Sequence, residues 1–262
     1  MTAMHFVRRG TGRPLLLLHG LGGTWRSWSP IMDALAETRD VIAVDLPGFG
    51  ETPPLTGEIS IATLADAVTA FCEEHGLGAV DVVGSSMGAR LALELARRGV
   101  LGAVVSLDPG GFWNDGERAF FGTSIGLSIR LVRLLQPVIP AIAASRIGRT
   151  LLLLQLSAKP WALSPEVVLD EMRSYARSPS FDPLLAALAH GPAQEGMPRG
   201  SARQPISIVW GRQDRVCLPR QAERAMQRFP DAKLYWVEDC GHFPMWDQPA
   251  ETVRIVRQTV GT

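Results

Sequence analysis

Six short apolar runs, each closed by turn residues and separated from the next by other patterns, constrain this chain more than any other feature. They are 15–18 (LLLL), 41–45 (VIAVD), 80–84 (VDVVG), 103–108 (AVVSLD), 206–211 (ISIVWG) and 233–238 (KLYWVE). The runs are continuous, not alternating, which is the pattern of strands covered on both faces. Helical patterns occupy 28–37, 61–75, 87–98, 219–229 and 249–259, with Pro219 and Pro249 where prolines start helices. This strand–helix rhythm predicts an α/β protein: a mostly parallel central sheet with helices on both faces.

The rhythm breaks between about 112 and 200. That stretch offers no strand, only apolar helical pieces punctuated by Pro137, Pro140, Pro160, Pro165 and Pro183. It reads as a helical cap inserted into the sheet domain, with 191–205 leading back. The expected division is therefore a core of residues 1–111 and 200–262 and a cap of 112–199.

Hydrophobic residues are 46% of the chain and charged residues 20%, enough apolar mass for a sizeable core. Lys+Arg and Asp+Glu both number 26, so the formal net charge of +0 favours neither nucleic acid nor a membrane surface as partner. The three cysteines, Cys72, Cys217 and Cys240, fit neither a disulfide framework nor a zinc cluster. The apolar run after Arg8 and Arg9 is too short for a signal peptide, and no stretch suits a bilayer span. These features predict a cytoplasmic protein, monomer or homodimer.

Residues 84–88 read GSSMG. Only Ser86 has glycine two before and two after it, since position 83 is valine. A predicted strand runs in and a predicted helix runs out, the setting of a nucleophile held on a sharp, strained turn. The glycines are expected where strand and helix approach too closely for a Cβ.

A serine nucleophile needs a base, and histidine suits that work near neutral pH. Of five histidines, His5, His75 and His190 lie away from strand tips, and His19 precedes the glycine-rich loop HGLGG. His242, in the loop after the last strand, is the expected base. Asp214, just after ISIVWG, is the expected acid, with Asp108 as a rival at another strand tip; Asp239 is expected to face solvent or cap a turn. The chain order Ser86, Asp214, His242 suits this architecture. Oxyanion donors are expected from the amides of Met87 and Leu21. Gly20, Trp25, Phe243 and Trp246 are candidates for the substrate pocket. No metal site is expected.

The series HGLGG, DLPGFGET, GSSMG, WGRQD and CGHFP resembles that of the alpha/beta-hydrolase superfamily, in order, across about residues 5–111 and 200–260. Within it the chain is similar to small bacterial esterases, lactonases and cofactor-free haloperoxidases. The resemblance implies a Ser86–His242–Asp214 triad, an acyl-enzyme intermediate and no metal or organic cofactor. It speaks against haloalkane dehalogenases and epoxide hydrolases, whose nucleophile is a carboxylate. Carbon–carbon bond hydrolases share Ser-Met-Gly, but many carry Asn where this chain has Ser85 and Trp where it has Phe243. The implied function is hydrolysis of a small, largely apolar ester or lactone. Carbon–carbon hydrolysis of a diketone, or a receptor that binds without turnover, are the alternatives.

Overall fold

The computed structural model describes residues 3–261. The elements in chain order begin with β1 (Phe6–Arg9), β2 (Pro14–Leu18), α1 (Ser29–Ala36), β3 (Asp40–Val44), α2 (Ile61–Glu74) and β4 (Asp81–Ser85). Next come α3 (Met87–Arg97), β5 (Val104–Leu107), α4 (Asp115–Leu134), α5 (Ile139–Ala144), α6 (Arg146–Leu153), α7 (Pro165–Arg177) and α8 (Phe181–His190). The chain closes with β6 (Ile206–Gly211), α9 (Gln221–Arg228), β7 (Lys233–Val237), α10 (Pro244–Asp247) and α11 (Pro249–Val260).

All seven strands form one sheet in the order β1-β3-β2-β4-β5-β6-β7. Every neighbouring pair is parallel except β1–β3. The continuous apolar runs are explained by what covers them. Leu15 to Leu18 are fully buried, because α1 and α11 pack together on one face of the sheet and α2 and α3 pack together on the other. Each such leucine contributes about 1.5–3 kcal/mol of burial.

Local signals set the helix starts. Ser60 caps α2 by accepting from the Thr63 amide, and Asn114 and Glu117 cap α4 reciprocally. Pro249 stands at the first position of α11, as expected. Pro219 lies just ahead of α9, which starts at Gln221. The strand β1 was not visible in the sequence. It is an antiparallel edge strand, FVRR, half-buried at its start and exposed at its two arginines, so it carries no apolar run.

The helices α4 to α8 all lie between β5 and β6. No strand interrupts them, so the sheet continues directly from Val104–Leu107 to Ile206–Val209. The insertion thus leaves at one strand's carboxyl end and returns at the next strand's start, which sets it against the tips of β4, β5 and β6.

Candidate active site

Ser86 joins β4 to α3 with φ 55° and ψ −113°, a backbone conformation a non-glycine residue rarely holds. Three observations account for it. The Ser86 amide donates to the Leu107 carbonyl at 2.9 Å, which extends the sheet ladder to the turn itself. A Cβ at Gly84 would collide with the Gly88 carbonyl, and one at Gly88 with the Leu18 carbonyl. The two glycines therefore let α3 fold back against β4 and β2, and the serine between them absorbs the strain.

The Ser86 hydroxyl lies 2.8 Å from His242 Nε2, and His242 Nδ1 lies 2.8 Å from Asp214 Oδ2. A carboxylate only accepts, so the imidazole proton sits on Nδ1 and the Nε2 lone pair faces the serine. Asp214 Oδ1 accepts from the amides of Val216 (2.8 Å) and Cys217 (3.0 Å). Three bonds, from His242, Val216 and Cys217, fix the carboxylate in the loop after β6. Both His242 and Asp214 are buried.

Asp108 is the rival acid that the geometry sets aside. It follows β5 with φ 48°, and its Oδ1 accepts from the Gly211 amide at 2.8 Å. Its other oxygen has no partner among the described residues. Burial, reinforced by the charge of Asp214, pushes its carboxyl well above the ordinary aspartate range. Burial and the neighbouring Asp214 thus favour the protonated form of Asp108, and Asp214 alone contacts the imidazole. Asp239 is exposed, and its carboxylate lies 3.4 Å from Lys159 Nζ.

The expected oxyanion loop lies against the serine. A Cβ on Gly20 would stand 3.2 Å from the Ser86 Cβ. The Gly20 carbonyl accepts from the Gly23 amide at 3.1 Å and lies 2.8 Å from His19 Nδ1. His19 Nε2 accepts from the Leu46 amide at 2.9 Å, so Nδ1 carries the proton and donates to Gly20. Burial holds this imidazole neutral. The carbonyl of Gly20 and the amide of Leu21 belong to one peptide plane. Anchoring the carbonyl on His19 thus aims the Leu21 amide the other way. The Met87 amide, first in α3, has no intrahelical acceptor.

Sequence reasoning missed what holds the His242 loop. The His242 amide donates to the carbonyl of Leu156, a residue of the insertion, at 2.9 Å. Asp247 accepts from the Gly241 amide (2.7 Å), from the Ala158 amide (2.8 Å) and from the Ser157 hydroxyl. No motif announces this clamp; its members are 90 residues apart in sequence.

A cavity opens onto Ser86, His242, Leu21 and Met87. Its far wall belongs to the insertion: Trp113, Phe121, Ile125, Ile129, Leu152 and Leu188. Val216, Cys217 and Arg90 also reach it. Phe243 lines the cavity as expected, but Gly20, Trp25 and Trp246 do not. A Cβ on Gly20 would stand 3.7 Å from the Phe243 ring. Trp246 packs beneath Phe243 (ring centroids 4.3 Å apart) and donates its indole N–H to the Ser27 carbonyl. Trp25 turns to a separate surface depression, its amide held by Asp45 and its ring stacked on Arg26.

Asp214, Cys217 and His242 place donor atoms within 4.8 Å of one another, the only grouping of metal-ligand type among the described residues. Both carboxylate oxygens and both imidazole nitrogens already have partners, and burial keeps the Cys217 thiol protonated. The set is fully engaged within the chain.

A serine on a strained strand–helix turn, hydrogen-bonded to a histidine from the loop after the last strand, on a mostly parallel sheet, defines a class: a hydrolase of α/β architecture. Residues 15–255 match the sequence profile of the Alpha/beta hydrolase family, and the chain belongs to that family. It is 28% identical over 271 aligned residues to the dihydrolipoyllysine-residue acetyltransferase component of the acetoin cleaving system of Cupriavidus necator, covering 98% of this chain. The chain spans 66% of that relative's length. Among solved structures it is similar to a thermophilic esterase from Thermogutta terrifontis (TM-score 0.76, 22% identity, 98% of this chain and 92% of that one). It is also similar to a meta-cleavage product hydrolase from Pseudomonas fluorescens IP01 (TM-score 0.73, 19% identity, 98% and 94%). At these identities the structural likeness speaks for the fold.

Proposed function

We propose that the protein is a serine hydrolase that cleaves a carboxylic ester or lactone of a small, largely apolar substrate through an acyl-enzyme. The observation that carries this reading is the unbroken hydrogen-bonded line Asp214–His242–Ser86 at the mouth of an apolar cavity. In this mechanism His242 Nε2 takes the Ser86 proton as Oγ attacks the acyl carbon. Asp214 stabilises the imidazolium, and the amides of Leu21 and Met87 bind the oxyanion. The imidazolium then protonates the leaving alcohol, and the same groups activate water to release the acid. The chemistry uses side chains and backbone amides alone. The acyl group is placed against the insertion, whose wall of aromatic and aliphatic side chains selects it.

A second reading draws on Arg90. This buried guanidinium reaches the cavity, donates to the Pro192 carbonyl, and leaves its Nε without a partner among the described residues. Burial pulls its pKa down to about 10, so an anionic substrate group would be welcome beside it. That favours a carboxylate-bearing diketone and carbon–carbon cleavage. One experiment separates the two: a fluorophosphonate probe on wild type and Ser86→Ala, followed by p-nitrophenyl esters, lactones and a vinylogous diketone acid. A single adduct at Ser86 with ester or lactone turnover supports the first reading. Turnover of the diketone alone supports the second, and no adduct on folded wild type refutes both.

A further inference from the structure

The helix α4 is apolar on two opposite faces. Phe121, Ile125 and Ile129 look into the cavity. Leu127, Leu131 and Leu134 form a second stripe, at helical spacing, on the outside, where Leu127 is 67% and Leu134 76% exposed. The pattern repeats on α6. Leu152 lines the cavity, while Ile147 (75% exposed) and Leu151 (73%) face out and share a shallow groove with Trp161. Among the described residues, all nine large apolar side chains with high exposure (48–76%) fall between residues 120 and 161. Hydrogen bonds from Gln155 to Ser124 and from Ser128 to Gln155 join α4 to the end of α6, so the stripes lie side by side. Ordinary surfaces scatter such residues singly, and a clustered set marks a contact surface.

Charge identifies what it contacts. Residues 118–165 contain six basic residues and no acidic one. Arg133 pairs with Asp182 and Lys159 with Asp239. Arg130 and Arg146 have no carboxylate partner among the described residues, and both are exposed. Arg130 lies between the outer stripe of α4 and the groove toward α8, and Arg146 borders the groove of Ile147 and Trp161. Arg215 adds a third cation at this edge, donating to the Leu154 carbonyl. Two copies meeting through this face would bring arginines against arginines with no carboxylate on the segment to separate them. A greasy surface rimmed by unpaired arginines, with a half-exposed tryptophan at its edge, matches an anionic lipid surface. No helix among the described residues is long and apolar enough to cross a bilayer, so the contact is peripheral.

We propose that the outer face of α4, α6 and the turn at Trp161 docks onto an anionic phospholipid surface, with the cavity directly behind it. The whole-chain charge of +0 conceals this, because the balancing acids lie on other segments.

The test is co-sedimentation of the full chain with vesicles of phosphatidylcholine alone and of phosphatidylcholine mixed one to one with phosphatidylglycerol. Ser86→Ala protein is run in parallel, so docking is judged apart from hydrolysis. We expect pelleting on the mixed vesicles only, weakened by salt and equal in Ser86→Ala. Each basic side chain near such a surface is worth about fivefold, so Arg130→Gln with Arg146→Gln should weaken partitioning about 25-fold. Leu127→Ser with Leu151→Ser should weaken it about tenfold or more. Thermal unfolding checks that both variants remain folded. No pelleting on mixed vesicles, equal pelleting on both kinds, or indifference to both variant pairs overturns the proposal. So does a dimer in sedimentation velocity that Leu127→Ser with Leu151→Ser dissolves, which would assign the face to a second copy.

Discussion

Replacing Glu171 by Gln should make the protein more stable, by an amount that grows with pH. Glu171 sits in α7 and is buried. Its surroundings are Ser27, Tyr175 on its own helix, and the charge of Asp170. Burial is the main reason its carboxyl is pushed up from 4.5 to about 7. The folded state therefore holds this proton more tightly than the unfolded chain does. Stability is fullest below the ordinary glutamate range and declines as pH rises toward 7, where the native state must bury a charge. That gap corresponds to about 3 kcal/mol once both states are ionised. Glutamine fills the same space and never ionises. The melting temperature of Glu171→Gln should match wild type, apart from a constant offset, near about pH 4.5 and pull ahead by roughly 5–10 °C near pH 8. Thermal unfolding followed by circular dichroism across that range reads the difference directly. A variant-minus-wild-type difference that stays flat with pH, or that shrinks as pH rises, would refute the reasoning. The effect bears on the proposed function, because α7 also holds the loop expected to supply an oxyanion donor: the Ser174 hydroxyl donates to the Gly22 carbonyl at 2.6 Å.

Two further outcomes are expected. Asp214→Asn should leave the fold intact and cut ester turnover by up to about 10⁴-fold, whereas Asp108→Asn, which leaves the Asp214–His242 bond in place, should cost less than about tenfold; steady-state kinetics on one p-nitrophenyl ester compares them. Across straight-chain esters from acetate to decanoate, kcat/KM should climb about fourfold per methylene until the cavity is full, and a flat profile would argue against an apolar acyl site.

The sheet was legible because parallel strands covered on both faces cannot hide: Leu15–Leu18 and Val104–Leu107 have no polar face to disguise them. Ser86 was legible because its turn demands glycine at both 84 and 88, a requirement written in the residues themselves. The edge strand β1 was not, since half of it faces water and two of its four residues are arginines. Trp25 was misplaced because position in a loop next to the site says nothing about which way an indole turns. His19 looked like a strand end, and its role in aiming the Leu21 peptide depends on the Leu46 amide, 27 residues away. Arg90 and Cys217 reach the cavity from a helix and a loop whose local sequence carries no pocket signal.

The bond between the Leu156 carbonyl and the His242 amide, with Asp247 gripping both sides, has a consequence for how such proteins recombine. An insertion exchanged between relatives at its two ends would bring residues 156–158 from one parent to meet the 241–247 loop of the other. The chimera would then inherit a histidine whose backbone partner came from a different lineage. The helices on either side of residues 156–158 are free to drift toward new acyl groups, but this short joint must change in step with a loop far along the chain. Recombination breakpoints that keep both segments from the same parent should yield active hybrids far more often than breakpoints that part them.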